Sequence, residues 1–181
     1  MTRKADLQKE IDRLNEELAK TGRNKIRESS YFILLNSNES TKNETEVESS
    51  KEYMKEIVKY LGENLDQVID FKDRSHSFSD EYVQSANLKF ALEQSRGRKK
   101  KDGTYSDYAG QVHAHALLTM KHKSNVTLNN DKMIDLLQPQ FEYYYGHRGF
   151  VSSKWIPGSK VEDYMTKSKE YSGGHKWTRI D

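Results

Sequence analysis

Residues 112–120 read VHAHALLTM, and this alternation constrains the fold more than any other stretch of the chain. A β-strand sends successive side chains to opposite faces, so Val112, Ala114, Ala116, Leu118 and Met120 make one unbroken apolar face. His113, His115, Leu117 and Thr119 take the other. The period therefore predicts a strand with one face on a core and two imidazoles side by side on the opposite one. On spacing alone, His-x-His fits a pair of metal ligands or two incidental polar positions on a half-exposed strand.

The preceding segment carries the complementary pattern. In YVQSANLKFALEQS, residues 82–95, Leu88, Phe90 and Leu92 alternate with Lys89, Ala91 and Glu93, so a second half-buried strand is expected. Two strands joined by the basic, glycine-containing loop RGRKKKDGTYSDYAG pair most simply as antiparallel neighbours. That pairing brings Glu93 towards His113 across a gap of 19 residues, on the face away from both apolar sets. If the register differs, another acid or Gln94 takes the place of Glu93. The chain contains no cysteine, so a metal site here has histidine and carboxylate ligands. Two imidazoles and a carboxylate suit a divalent cation acting as a Lewis acid, Mn²⁺ more naturally than Mg²⁺, which prefers oxygen.

The remaining segments complete an α+β pattern, a central antiparallel β-sheet with flanking helices. Leu7, Ile11, Leu14 and Leu18 give an N-terminal helix, a helical appendage over residues 1–25 expected to pack on the domain in preference to mediating dimerisation. SYFILLN is a buried strand, and SNESTKNETEVESS after it reads as a loop. SKEYMKEIVKYLGENL is an amphipathic helix and QVIDF a short strand. NNDKMIDLLQ starts a helix with Asn129 or Asn130 as N-cap, which Pro139 is expected to stop. GFVSSKWIPG is a further strand closed by a Pro-Gly turn. Ser159 and Glu162 make a capping-box pattern for a last helix, KVEDYMTKSKEY, ended by Gly173 and Gly174 and followed by a frayed tail, HKWTRID.

The length of 181 residues supports one domain, residues 26–181, beyond the appendage. No run of about 20 apolar residues offers a membrane span. The first residues lack the apolar stretch of a signal peptide, so an intracellular protein is expected. A Walker A pattern is absent, which argues against a nucleotide-hydrolysing domain. The net charge of +2 does not by itself announce a nucleic-acid binder. Its distribution is more telling, since Arg96, Arg98, Lys99, Lys100 and Lys101 crowd into six positions. Such a run is either a solvated loop or a phosphate-contacting one.

On the last predicted helix, Tyr164 and Lys167 lie three apart and share a face. A tyrosine hydroxyl with a pKa near 10 is about one part in a thousand ionised at pH 7, and a neighbouring ammonium favours the tyrosinate. Alone, Tyr-x-x-Lys is equally a chance pair on a surface helix.

Taken together, HAH resembles the His-hydrophobe-His motif of the HUH endonucleases, and YMTK resembles the Tyr-x-x-Lys motif of their single-tyrosine Rep branch. YFILLN stands where that family has a strand similar to F-T-x-x-N, with Phe32 and Asn36 kept and Ile33 in place of the threonine. The resemblance spans residues 30–172 in the order of its elements. It implies an HUH fold, RRM-like in placing helices on a sheet, with His113, His115 and Glu93 as ligands of Mn²⁺ or Mg²⁺. It implies Tyr164 as the nucleophile assisted by Lys167. The activity implied is nicking and joining of single-stranded DNA through a covalent 5′-phosphotyrosine, initiating rolling-circle or rolling-hairpin replication. The 19-residue gap is longer than the family's usual hairpin. Arg96, Arg98, Lys99, Lys100, Lys101, Asn36, Lys154 and Trp155 are then candidates for DNA contact, and Tyr105, Tyr108 and Tyr143–Tyr145 for base stacking or core packing. A viral or plasmid source is implied, in a eukaryotic host nucleus or a prokaryotic cytoplasm, with a homo-oligomer through the N-terminal helix or a helicase domain as a further possibility. Two alternatives stay open: a non-catalytic nucleic-acid-binding module, and a single-tyrosine HUH transposase, against which Lys167 on the tyrosine helix argues.

Overall fold

The computed structural model describes residues 2–20, 25–41, 43–72, 82–95, 100–104, 110–123, 125–160 and 173–178. Its centre is a five-stranded antiparallel sheet. The strands are β1 (Arg27–Ser40), β3 (Val83–Gln94), β4 (Gln111–His122), β6 (Phe150–Ile156) and β7 (Gly173–Thr178), in the order β6-β1-β4-β3-β7. A separate two-stranded ribbon pairs β2 (Ile69–Phe71) with β5 (Val126–Leu128). The helices are α1 (Thr2–Lys20), α2 (Glu44–Glu63), the short α3 (Leu65–Val68) and α4 (Asn130–Tyr145). The architecture is the α+β arrangement expected, with an N-terminal helix.

The core lies between α2, α4 and one face of the sheet. That face is made by Ile33 and Leu35 of β1, Leu88 and Phe90 of β3, and the whole apolar set of β4, Val112 through Met120, all at most 5% exposed. Met54, Ile57, Val58 and Leu61 of α2 and Met133, Leu137 and Phe141 of α4 close over it, each fully buried. Burying each such side chain contributes about 1.5–3 kcal/mol, so the period-2 pattern and the two helical stripes together hold the layers in register.

Five segments depart from what their sequence predicts. The polar stretch after Asn36 is no loop: β1 runs on through Ser40 and α2 begins at Glu44. Asn43 caps this helix reciprocally, its Oδ1 accepting from Glu46 N at 2.9 Å while its Nδ2 donates to Glu46 Oε1 at 2.9 Å. This is an asparagine N-cap braced by a side-chain bond to the residue three positions on, and Glu44 and Glu46 complement the positive end of the helix dipole. Pro139 does not stop α4, which continues to Tyr145 and ends at Gly146 in the left-handed region (φ 73°). An internal proline costs about 3 kcal/mol. Continuing the helix buries Phe141 and Tyr145 as the next steps of the Met133–Leu137 stripe, which offsets that cost.

QVIDF contributes only Ile69–Phe71 to a strand, since Gln67 and Val68 belong to α3. Of the expected frayed tail, the described part is ordered strand, because β7 pairs through Thr178 with the sheet edge beside β3. The N-terminal helix forms as its spacing predicts, but its described side chains face solvent instead of packing on the domain. Residues 5–17 are all exposed, with Leu7 61%, Ile11 49% and Leu14 46% accessible. The predicted helix over KVEDYMTKSKEY falls almost wholly in residues 161–172, outside the described residues. Among the described residues no helix is long and apolar enough to cross a membrane.

Candidate metal centre

The face of the sheet turned away from α2 and α4 carries the histidines, and strand register decides what stands beside them. On β4, His113 has Glu93 of β3 as its direct partner on one side and Asn36 of β1 on the other. His115 has Ala91 and Leu34. Directly paired residues share a face, so one rung reads Phe150–Asn36–His113–Glu93 and the next Ser152–Leu34–His115–Ala91.

This placement brings three ligand groups together. Glu93 Oε2 lies 3.4 Å from His113 Nε2, and Glu93 Oε1 lies 3.7 Å from His115 Nδ1. The two imidazole centroids are 4.8 Å apart at an interplanar angle of 54°. One donor atom from each of the three residues lies within 4.8 Å of the others. A cation with bonds near 2.1 Å separates neighbouring ligand atoms by about 3–3.4 Å in octahedral or tetrahedral geometry, so the set needs only small rotations to close on one ion. Side-chain exposures of 15% for His113, 27% for His115 and 40% for Glu93 leave the cluster seated in the sheet yet open on one side. That combination suits an ion retaining positions for water and substrate oxygens. The donors fit a divalent cation, and the arrangement does not choose between Mn²⁺ and Mg²⁺.

Neighbours fix the ligands. Phe32 packs against His115 with centroids 5.3 Å apart. Asn36 turns its Oδ1 to accept from Asn38 N at 2.9 Å, and Asn38 sits at φ 56° where β1 breaks register between Asn36 and Ser40. At the hairpin end, Ser95 N donates to Gln111 O at 2.8 Å and Gly110 N to Ser95 O at 2.8 Å, which holds β3 and β4 in the register that pairs Glu93 with His113. The long connection thus leaves the expected pairing intact. His122, seven residues beyond His115, falls on the core face as its odd spacing predicts. It is buried, with Nε2 2.8 Å from Ser29 Oγ, and stands apart from the site.

Other expected site residues divide. Lys154 pairs with Phe32 and so shares the histidine face, exposed. Trp155 pairs with the core residue Tyr31, so it points to the opposite face, 56% exposed, and does not converge with the histidines. Alternation along β6 makes it impossible for Lys154 and Trp155 to serve the same surface. Lys100 and Lys101 stand exposed in a turn closed by Lys100 N donating to Thr104 O at 2.7 Å. Tyr144 and Tyr145 pack within the helical layer at the far end of α4, where Tyr53 stacks on Tyr144 at 5.3 Å and Tyr145 is buried, whereas Tyr143 is 80% exposed. Tyr164, Lys167, Arg96, Arg98, Lys99, Tyr105 and Tyr108 lie outside the described residues.

One cation on the histidine face was not among the expected site residues. Lys89 pairs with Leu117, two positions beyond His115. Its signal was in the sequence, as the charged member of the Lys89, Ala91, Glu93 alternation. No family model matches the chain, and no curated protein matches it.

Proposed function

We propose that the protein is a metal-dependent nicking and joining enzyme for single-stranded DNA of the HUH Rep type. The observation that carries this reading is the Glu93–His113–His115 cluster on the open face of an antiparallel sheet, with Glu93 and His113 as direct cross-strand partners. Motif order supports it too: the paired histidines are followed by Tyr164 and Lys167, and Asn36 stands on the rung of His113.

His113, His115 and Glu93 would hold the divalent ion, which supplies Lewis-acid polarisation of the scissile phosphate. Tyr164 Oη would attack the phosphorus in line. The Oη–P bond forms as the P–O3′ bond breaks, and the departing oxygen takes up a proton to become a 3′ hydroxyl. Lys167 would favour the ionised phenol before attack. The phosphotyrosine conserves the bond energy, so the reverse attack by a 3′ hydroxyl reseals the strand without ATP. Mn²⁺ is the better match to two imidazoles and Mg²⁺ the alternative.

The test is incubation of the full chain with single-stranded oligonucleotides, including hairpins, and Mn²⁺, followed by a denaturing gel. A protein–DNA adduct lost in Tyr164→Phe and on chelation is expected. DNA binding without any adduct overturns the enzymatic reading in favour of a non-catalytic nucleic-acid-binding module.

A further inference from the structure

Phe150 stands on the rung of the metal cluster. The register runs Phe150–Asn36–His113–Glu93 across β6, β1, β4 and β3, so Phe150 shares the histidine face. Two strand spacings put its backbone about 10 Å from that of His113. The residue is 49% exposed, and among the described residues its ring makes no aromatic contact. β6 is an edge strand, so among the described residues no strand lies beyond it. Its neighbours on that face are the smaller Ser152 and Asn36, both half-buried.

A lone exposed phenylalanine is common on protein surfaces and by itself needs no function. This one is set apart by how firmly its backbone is held. Gln138 of α4 grips the preceding residue twice, Nε2 donating to Gly149 O at 2.9 Å and Oε1 accepting from Gly149 N at 3.1 Å. A β-carbon on Gly149 would stand 2.2 Å from the ring of Phe141, so glycine lets β6 start flush against that buried side chain. Further along, Asn130 Oδ1 accepts from Ser153 N at 3.0 Å. The outer backbone of the edge strand is thus tied to α4 on both sides of Phe150. The ring sits on a rigid element, and little ordering is left to occur on binding.

The ligand chemistry that fits is a nucleobase. Single strands bind by laying bases on exposed aromatic faces, with little regard to sequence, while their phosphates are held by charge nearby. Here the aromatic face and the cation centre share one rung. We propose that Phe150 stacks on a base flanking the phosphate held at Glu93, His113 and His115. The strand then runs along the rung, from the metal centre towards β6. This deepens the proposed reading, on which its substrate class rests, but it concerns binding and not cleavage.

The experiment measures affinity by fluorescence anisotropy for a mixed-sequence single-stranded oligonucleotide and for an abasic strand of the same length. The full chain carries Tyr164→Phe and is loaded with Mn²⁺, so that no strand is cut. Adding Phe150→Ala is expected to weaken binding of the base-bearing strand at least about 5-fold, the low end for one base–aromatic stack. On the abasic strand, which has phosphates but nothing to stack, the loss is expected to disappear. Phe150→Leu keeps the apolar bulk without the flat face and is expected to lose affinity as well, whereas Phe150→Trp retains it. The slope of log affinity against log salt is expected to stay unchanged, because no phosphate contact is removed. Trp155→Ala, at a comparably exposed aromatic of the same strand on the opposite face, is expected to bind as the parent does. Unchanged affinity in Phe150→Ala, or an equal loss on both strands or in Trp155→Ala, overturns the inference even where the wild-type protein forms the Tyr164 adduct. A loss confined to the base-bearing strand, without any adduct in the wild type, upholds it while the nicking reading fails. Absence of single-strand binding in the wild-type protein sinks both.

Discussion

Glu93 and His113 are direct partners across the β3–β4 pairing, with Oε2 3.4 Å from Nε2, although 19 residues separate them in the chain. Their meeting makes the first prediction. Glu93→Gln and His115→Ala should each lower Mn²⁺ affinity at least about 100-fold, beyond the 10–100-fold that outer-shell substitutions cost. Isothermal titration calorimetry reads this directly. Retained stoichiometric binding in Glu93→Gln would move the third ligand elsewhere.

The two faces of β4 should respond oppositely to truncation. Leu118 is fully buried, and Leu118→Ala should cost about 2–5 kcal/mol in urea denaturation. His115→Ala, on the open face, should cost under about 1 kcal/mol in metal-free protein. Similar costs at both positions would contradict the one-sided core.

Tyr145 bears on alkaline stability. Burial pushes its phenol up to about 12, against a hydroxyl contact with Ser50 that pulls the other way. Its hydroxyl donates to Ser50 O at 2.7 Å. A phenol whose folded pKa is raised contributes stability that is fully present below the unfolded value near 10 and is lost as pH climbs towards 12. Tyr145→Phe should lose about 1 kcal/mol at neutral pH, through the missing hydrogen bond, and show a shallower fall in stability between those values. Denaturant titrations at stepped pH check both parts, and an unchanged alkaline slope in the variant would rule the assignment out.

Gly110 closes the hairpin that sets the register. It has φ 85°, and a β-carbon there would stand 2.7 Å from the backbone oxygen of Thr41. Gly110→Ala should therefore cost about 1–3 kcal/mol. A melting temperature equal to that of the wild type would show that the turn relaxes freely.

Deleting residues 1–24 should leave the melting temperature of the remaining chain close to the wild-type value. The described side chains of α1 are exposed along residues 5–17, and surface changes of this kind usually stay within about 0.5 kcal/mol. A marked drop on circular-dichroism melting would show that the helix is held by the domain or by a second copy.

The legible parts of this protein were those written in local periodicity. Alternation placed His113, His115, Lys89 and Glu93 off the core and put His122 on it, and helical spacing marked α1, α2 and the start of α4. Pro139 shows where local rules fail. The penalty of the proline is visible in the sequence, whereas the burial of Phe141 and Tyr145 that offsets it exists only once α4 lies on the sheet. The extension of β1 and the late strand β7 were hidden for a related reason, since polar residues become strand when a neighbour supplies their backbone partners.

The sequence by itself determined which residues share a face, because side-chain direction in a strand follows from position modulo two. Tertiary structure decided which of those residues stand side by side. Register is a relation between strands, and here it is fixed by a hairpin closed at Ser95, Gly110 and Gln111 and by a core that tolerates no slip of one residue. That register put Glu93 opposite His113, set Lys89 and Lys154 on one rung, and turned Trp155 away from both.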